Sequence, residues 1–283
     1  MKLVRFGPAG AEKPGLIDGA GTVRDLSGHV ADIGATALVP ERLAALAALA
    51  HDDLPVVREP GRLGACITRP GKIIGIGLNY HDHARETGAE APSEPISFTK
   101  AASSLCGPDD DILQPVGSEK LDWEVELGVV IGARARRVAE AEALEYVAGY
   151  CVVDDVSERS WQKDRGGQWM KGKSYDTFCP VGPWLVTADE VADPQALALW
   201  TELNGERVQN GTTAEMIFGV RELVSYLSRF MTLEPGDLIA TGTPAGVGMG
   251  MSPPRYLVSG DRLRLGVEGL GVQSHAIVAE ETG

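Results

Sequence analysis

The sequence predicts a β-rich α+β fold in which many short strands form the body of the molecule and a few helices pack outside it. The 283 residues include 35 glycines and 17 prolines, and their spread favours strands and turns over a helical bundle. Several segments alternate apolar and polar residues with the two-residue period of a strand. A hydrophobic content of 43% over this length is enough for a sizeable core.

The N-terminal part of the chain is expected to form a small α/β domain over residues 1–65. Its predicted elements are a strand at KLVRF, a turn at Asp18-Gly19, a strand near Thr22-Val23 and a helix from Pro40 to Leu49. A polar, proline-containing stretch then leads into a larger domain over residues 66–283.

The clearest element of the larger domain is a strand over residues 121–131. Val125, Leu127 and Val129 share one face of that strand, and Glu124 and Glu126 share the other. Further strands are predicted at 149–153, 237–241 and 263–267, with a short helix from Ser157. Residues 220–230 carry an apolar stripe at helical spacing, which predicts a helix covering the sheet.

Composition excludes several classes of partner. The chain has 40 acidic and 26 basic residues, a net charge of -14 and a pI of about 4.8, which disfavour nucleic acid and anionic membrane surfaces. No run of about 18 apolar residues occurs. The four cysteines form no CxxC pair, so we expect free thiols and a cytoplasmic protein.

Glu124 and Glu126 form the first candidate site. Two carboxylates on one face of a strand lie roughly 7 Å apart and can converge on one cation. Asp155, at the end of another strand, offers a third oxygen ligand, and such a set suits Mg²⁺, Mn²⁺ or Ca²⁺. Two structural alternatives remain open at this point: the glutamates could form the solvated face of an edge strand, and Asp155 could form a capping box with Glu158.

His83 and Glu86 form the second candidate. In a helix they share one face at i and i+3, and a Glu that orients a His is a common general base. The alternative is an incidental ion pair on a surface helix. Lys173, between small and aromatic residues, could reach a carbonyl or carboxylate substrate or could be a solvated loop charge. The glycine-rich segment 240–248 could bind an anion through its backbone N–H groups or could be only a tight turn.

Taken in order, these segments resemble the fumarylacetoacetate hydrolase family. The similar stretches are GLNYHDHARETG, SEPISFTKAASS, DWEVELGVVIG, AGYCVVDDVSERSWQ, KGKSYDTFCPVGPW, QNGTTAEMIFGV, LVSYLSRFMTLEPGDLIATGTPAGVG and LRLGVEGLG, which together span about residues 70 to 280. The resemblance implies a mixed β-sandwich roll, a bound Mg²⁺ or Mn²⁺ ion and a homodimer.

Residue roles follow from the resemblance where the motifs match. They are the metal ligands Glu124, Glu126 and Asp155; the catalytic residues His83, Glu86 and Lys173; and the substrate-binding residues Arg159, Gln162, Tyr175 and Thr243. Two positions depart from the family pattern. Asp154 replaces a common Asn and adds negative charge beside the metal site, and Ser160 replaces an Asp, which predicts a less restrained Arg159.

The resemblance implies a hydrolase that cleaves the C–C bond of a 2,4-diketo acid to pyruvate and a carboxylic acid. The opening KLVRFGPAGAEKPGLID and the ending EGLGVQ resemble two groups of the family alike, the hydrolases of 2,4-diketo-3-deoxy sugar acids and the ureidoglycolate lyases. A 2,4-diketo-3-deoxy sugar acid is the expected substrate. The alternatives are a ureidoglycolate lyase, a decarboxylase or isomerase of 2-hydroxy-dienoate acids, and a metal-dependent binding protein without turnover.

Overall fold

A computed structural model describes residues 1–281 of the chain. The strands are β1 Lys2–Phe6, β2 Lys13–Ile17, β3 Val23–Asp25, β4 Ile73–Gly77, β5 Ile96–Lys100, β6 Leu105–Cys106, β7 Ile112–Gln114, β8 Leu121–Asp122, β9 Val125–Ile131, β10 Val147–Asp154, β11 Ser157–Glu158, β12 Cys179–Thr187, β13 Ala198–Leu203, β14 Glu206–Thr212, β15 Leu238–Ala240, β16 Arg262–Val267 and β17 Gly271–Ala279. The α-helices are α1 Pro40–Ala47, α2 His81–Glu86, α3 Arg159–Lys163, α4 Met170–Lys173 and α5 Val220–Phe230.

The largest sheet has ten strands, nine of them in the order β3-β2-β1-β12-β10-β9-β15-β4-β5, with β6 paired to β12. Most pairs are antiparallel, but β15 pairs with β4 in parallel, as β6 does with β12. The strands of the N-terminal segment are part of this sheet, because β1 pairs with β12. Strands β9 and β10 lie near its middle.

A second sheet, in the order β14-β13-β16-β17-β7, packs against the first. One hydrophobic cluster lies between the two sheets and includes residues of β9, β13 and β16. Another covers the opposite face of the large sheet, with α1 and the N-terminal strands. The predicted β-rich α+β fold with mixed sheets is therefore confirmed.

Local predictions match the observed elements closely where the sequence pattern is strong. Helix α5 has the predicted bounds, and its side chains Leu223, Val224 and Leu227 are buried. The predicted strand at 121–131 is instead interrupted, since β8 ends at Asp122 and β9 begins at Val125. Strand β2 was not expected from the sequence. No helix within residues 1–281 is long and apolar enough to cross a membrane.

Candidate active site and metal centre

Three carboxylates meet where β9 begins and β10 ends. The two strands are antiparallel, with Asp154 opposite Val125 and Val153 opposite Glu126. This register brings Asp155 beside Glu124, and Asp155 N donates to Glu124 O at 3.0 Å. Ligand oxygens of Glu124, Glu126 and Asp155 all lie within 4.8 Å of one another.

Both structural alternatives for these carboxylates are wrong. Glu126 lies on β9, which is between β10 and β15 inside the sheet, and Glu124 immediately precedes that strand. Glu124 and Glu126 are only 6% and 1% exposed, so they do not form the solvated face of an edge strand. Asp155 caps no helix: its carboxylate contacts two lysines. Glu158 itself is the N-cap of α3, where its side chain accepts a hydrogen bond from Ser160 N.

Buried cations surround two of the three carboxylates. Lys173 Nζ lies 2.6 Å from Glu124 Oε2 and 2.5 Å from Asp155 Oδ2. Lys100 Nζ lies 2.5 Å from Asp155 Oδ1, and Arg159 Nη2 lies 2.6 Å from Glu124 Oε1. Burial alone would raise the pKa of Glu124, but Arg159 and Lys173 hold that pKa well below its ordinary value. Lys173 is therefore a buried ion-pair partner and not a solvated loop charge.

Glu126 lacks such a partner. Its Oε2 accepts a hydrogen bond from Gly242 N at 2.8 Å, and no cation lies within ion-pair distance among the described residues. Burial, together with the charges of Asp155 and Glu124, raises the pKa of Glu126 well above its ordinary value. A buried carboxylate among like charges is costly unless a cation joins it. This oxygen-only donor set fits a hard divalent ion such as Mg²⁺ or Mn²⁺.

The aspartates beside the triad position its backbone and its arginine. Asp154 Oδ1 accepts a hydrogen bond from Glu124 N at 2.9 Å, and burial raises the pKa of Asp154 to about 7. Asp122 Oδ2 accepts a hydrogen bond from Arg159 Nε at 2.8 Å. The looser Arg159 expected from Ser160 is therefore not observed, because Asp122 restrains the guanidinium instead.

Helix α2 brings His83 and Glu86 together. His83 Nδ1 lies 3.3 Å from Glu86 Oε2, and the other oxygen of Glu86 accepts a hydrogen bond from Gly246 N at 2.9 Å. His83 is 5% exposed, so the pair is not an incidental contact on a surface helix. The glycine-rich segment after β15 thus fixes Glu86, which in turn orients the imidazole.

A cleft of about 620 Å³ joins the two groups. Its lining residues are Ile76, Gly77, Leu78, His83, Thr87, Ala89, Phe98, Glu124, Glu126, Arg159, Gln162, Lys163, Trp169, Lys173, Thr243 and Met249. His83 and two of the three carboxylates therefore face one space.

The four predicted substrate-binding residues have different surroundings. Arg159 and Gln162 line the cleft, and Arg159 Nη1 donates to Gln162 Oε1 at 3.1 Å. Thr243 also lines the cleft, but its hydroxyl donates to Val125 O and accepts from Gln209 Nε2. Tyr175 does not line the cleft: its hydroxyl donates to Glu280, a hydrogen bond that raises the pKa of Tyr175 to about 12.

Two buried residues of the site were missed by sequence reasoning. Lys100 ends β5 and pairs with Asp155, which is 55 positions away in the chain. Asn79 precedes α2 and ties it to the sheet by donating to Phe218 O and Thr241 O. Both belong to stretches that carry the family resemblance, which was the only signal for them. Their partners are set by strand order, which no local pattern reveals.

Comparison with known proteins identifies the family of the chain. Residues 72–278 match the family model described as fumarylacetoacetate (FAA) hydrolase C-terminal. A Burkholderia cenocepacia (strain HI2424) protein named "Putative hydrolase Bcen2424_5521" is 60% identical over 274 residues, covering 96% of this chain and 97% of that protein.

Two solved structures are similar over nearly the whole chain. A fumarylacetoacetate hydrolase from psychrophilic Exiguobacterium antarcticum is 37% identical with a TM-score of 0.86, covering 99% of this chain and 100% of that one. A maleylpyruvate hydrolase from Sphingobium sp. SYK-6, in complex with manganese(II) and pyruvate, is 29% identical with a TM-score of 0.77 at the same coverage. The chain belongs to the fumarylacetoacetate hydrolase family.

Proposed function

We propose that this protein is a divalent-metal-dependent hydrolase that cleaves an acylpyruvate-type 2,4-diketo acid to pyruvate and a carboxylic acid. The observation that carries the proposal is the shared cleft, which His83 lines together with Glu124, Glu126 and Lys173. A base beside a divalent-ion site is the arrangement that metal-assisted hydrolysis requires. The similar maleylpyruvate hydrolase, solved with manganese(II) and pyruvate, supports both the ion and the product.

The carboxylates Glu124, Glu126 and Asp155 would hold Mg²⁺ or Mn²⁺. When bound, such an ion acts as a Lewis acid that polarises the oxygens of a 2-keto acid. Arg159 fixes Glu124, and Asp154 fixes its backbone, so at least one ligand is held before substrate arrives.

His83 acts as the general base in this proposal. Glu86 holds Nδ1, which leaves Nε2 to take a proton from water. The water oxygen bonds to the C4 carbonyl carbon, the C3–C4 bond breaks, and its electron pair passes to C3 as the enolate of pyruvate. Lys173, held by Glu124 and Asp155, hydrogen-bonds the developing charge and donates a proton to C3. The proton that His83 took from water then passes to Lys173, so both side chains end in their starting protonation states. Gln162 is the candidate for the substrate carboxylate, since Arg159 is already engaged.

The same residues are compatible with other reactions of the proposed class. A decarboxylase or isomerase would use His83 and Lys173 to move a proton without an attacking water, and a 33% identical Mycobacterium abscessus structure is described as a probable 2-hydroxyhepta-2,4-diene-1,7-dioate isomerase. A sugar-acid substrate and a ureidoglycolate lyase stay alternatives. The aliphatic and aromatic lining from Ile76, Leu78 and Phe98 favours an acyl chain over a polyhydroxylated one. A homodimer stays a prediction that light scattering tests.

Pyruvate release from acylpyruvates, measured on metal-stripped and Mn²⁺- or Mg²⁺-loaded protein, tests the proposal. We expect release only with metal. His83→Ala should lower kcat by about 10²–10⁴-fold because it removes the base, while Mn²⁺ affinity, measured by calorimetry, stays nearly unchanged.

The matched control is His81→Ala, which removes an exposed imidazole from the same helix and should leave kcat unchanged. Glyoxylate and urea from ureidoglycolate, without pyruvate from any diketo acid, would establish the lyase instead. Isomerised product without cleavage would establish the isomerase. A His83→Ala protein that loses its metal would contradict the role of His83 as water base.

A further inference from the structure

The cleft has an apolar region beside its charged one. Phe98 and Trp169 pack with ring centroids 5.5 Å apart, and Lys173 Nζ lies 5.0 Å from the centre of the Phe98 ring. Gly77 permits this packing, because a Cβ there would lie only 2.4 Å from Trp169 Cζ3. Such a lining favours a substrate whose chain is flat and weakly polar over a substrate whose chain is strongly hydrated.

One lysine in this lining has no partner of opposite charge. Lys163 ends α3, and its Nζ lies 3.1 Å from Met249 Sδ, a weak acceptor. Among residues 1–281 it forms no ion pair within 4.0 Å. Lys163 lines the cleft and is also solvent-exposed, so it stands where the cleft meets solvent.

The other cations of the cleft are already neutralised. Arg159 contacts Asp122 and Glu124, and Lys173 contacts Glu124 and Asp155. A substrate anion can therefore pair with Lys163 without displacing a protein carboxylate. In the described part of the cleft lining, no other lysine or arginine offers this. Partial burial and the nearby Arg159 charge lower the pKa of Lys163, effects that an anion beside it would offset.

We propose that Lys163 binds a second carboxylate at the acyl end of the substrate, so that the preferred substrates are 2,4-diketo diacids. This inference rests on the proposed function and names its substrate class. The first carboxylate lies with the metal ligands and Gln162, the chain passes the Phe98–Trp169 lining, and the distal carboxylate meets Lys163 near Met249. Lys163 determines specificity and takes no part in bond cleavage.

A pair of substrates of equal length tests the proposal. Hydrolysis of 2,4-dioxoheptanedioate gives pyruvate and succinate, and hydrolysis of 2,4-dioxoheptanoate gives pyruvate and butanoate, so the two differ only in the distal carboxylate. A charge-assisted hydrogen bond predicts a kcat/KM preference of about 10-fold or more for the diacid. In Lys163→Met the KM for the diacid should rise by that factor, with kcat and the monoacid unchanged. Lys163→Arg should retain most of the preference.

The matched control is Lys171→Met. Lys171 is an exposed lysine of α4 that donates to Arg165 O and does not line the cleft, so its loss should change neither substrate's kinetics. Equal turnover of both acids by the wild type, or an equal loss of both in Lys163→Met, would overturn the proposal.

Binding separates a failure of this inference from a failure of the proposed function. Calorimetry on Mn²⁺-loaded His83→Ala protein measures the affinity of both acids without turnover. If the diacid binds more tightly and the added Lys163→Met substitution removes that difference, the role of Lys163 is supported. This holds even if the wild type releases no pyruvate, because the lack of pyruvate would refute only the proposed hydrolase activity. Equal binding of both acids refutes the role of Lys163 even if both are hydrolysed.

Discussion

Two segments of this protein each bury a pair of polar side chains two residues apart, and the two pairs have opposite uses. Glu126 lies on β9, Glu124 immediately precedes that strand, and both face the cleft. Gln273 and His275 lie on β17, where they are 0% and 1% exposed and line no part of the cleft. The spacing is the same, so spacing alone does not mark a functional pair.

The two pairs differ in charge and in how many of their hydrogen-bond and charge partners the protein supplies. Gln273 Nε2 lies within hydrogen-bond distance of three backbone carbonyls, those of Val152, Pro180 and Gly182, and His275 Nδ1 donates to Asp110 O at 2.7 Å. Burial lowers the pKa of His275 to about 4, which favours the neutral ring. Glu126, by contrast, has no ion-pair partner among residues 1–281. The second pair finds its hydrogen-bond partners within the protein and is structural, whereas a buried carboxylate that lacks a charge partner indicates a ligand.

The largest effect is expected for Glu126→Gln. This substitution replaces one charged member of the first pair with a neutral residue, and both members of the second pair are neutral. Loss of an outer hydrogen-bond partner typically costs 10–100-fold in metal affinity, so loss of a direct ligand should lower Mn²⁺ affinity by more than about 100-fold. Metal-stripped protein should become more stable by about 1–3 kcal/mol, because a carboxylate among like charges is removed. Thermal unfolding with and without Mn²⁺ measures both changes.

Glu158→Gln is the control for a nearby buried carboxylate outside the triad, where Ser118 and Ser160 already satisfy the oxygens. It should leave the Mn²⁺-dependent rise in the unfolding temperature intact. A Glu126→Gln protein that is still stabilised by Mn²⁺ as strongly as the wild type would contradict the assignment of Glu126 as a ligand.

A smaller effect is expected from the second pair on acidification. The folded pKa of His275, about 4, lies below the ordinary value of 6.5, so the unfolded chain binds the proton more readily. The stability it contributes is present above pH 6.5 and is lost as the pH falls towards 4. Between pH 7 and pH 5 this group should cost about 2 kcal/mol, measured by urea unfolding.

His275→Gln should flatten that pH dependence, whereas His29→Gln, at an exposed site, should not. His275 Nε2 also lies 3.1 Å from Gln273 Oε1, so both ring nitrogens face acceptors. An unchanged wild-type stability from pH 7 to pH 5 would mean that these two oxygens hold a protonated ring in spite of its burial.

The smallest effect is expected for Tyr175→Phe. Its hydroxyl donates to Glu280 just after β17, which places it with the structural region and not with the cleft. Both kcat and KM should change by less than about twofold. A selective rise in KM would show that Tyr175 contacts substrate, as the family resemblance implies.

The sequence by itself determined those features that depend on neighbouring residues. The alternation of Val125, Leu127 and Val129 predicted a strand, and the stripe of residues 220–230 predicted a helix with the observed bounds. The His83–Glu86 pair follows from one turn of helix. The ordered motifs indicated the family and, through it, the carboxylate triad, because each motif is a continuous segment of the chain.

Tertiary structure decided which of these groups are buried and which charges meet. The place of β9 inside a ten-stranded sheet made Glu124 and Glu126 buried, where their pattern alone equally suited a solvated face. Tertiary packing also brought Lys100 to Asp155 and the Tyr175 hydroxyl to Glu280, and it left Lys163 without an ion-pair partner among residues 1–281. Such pairings join residues far apart in the chain. The free energy of a buried charge depends on those distant neighbours, and a local pattern does not contain them.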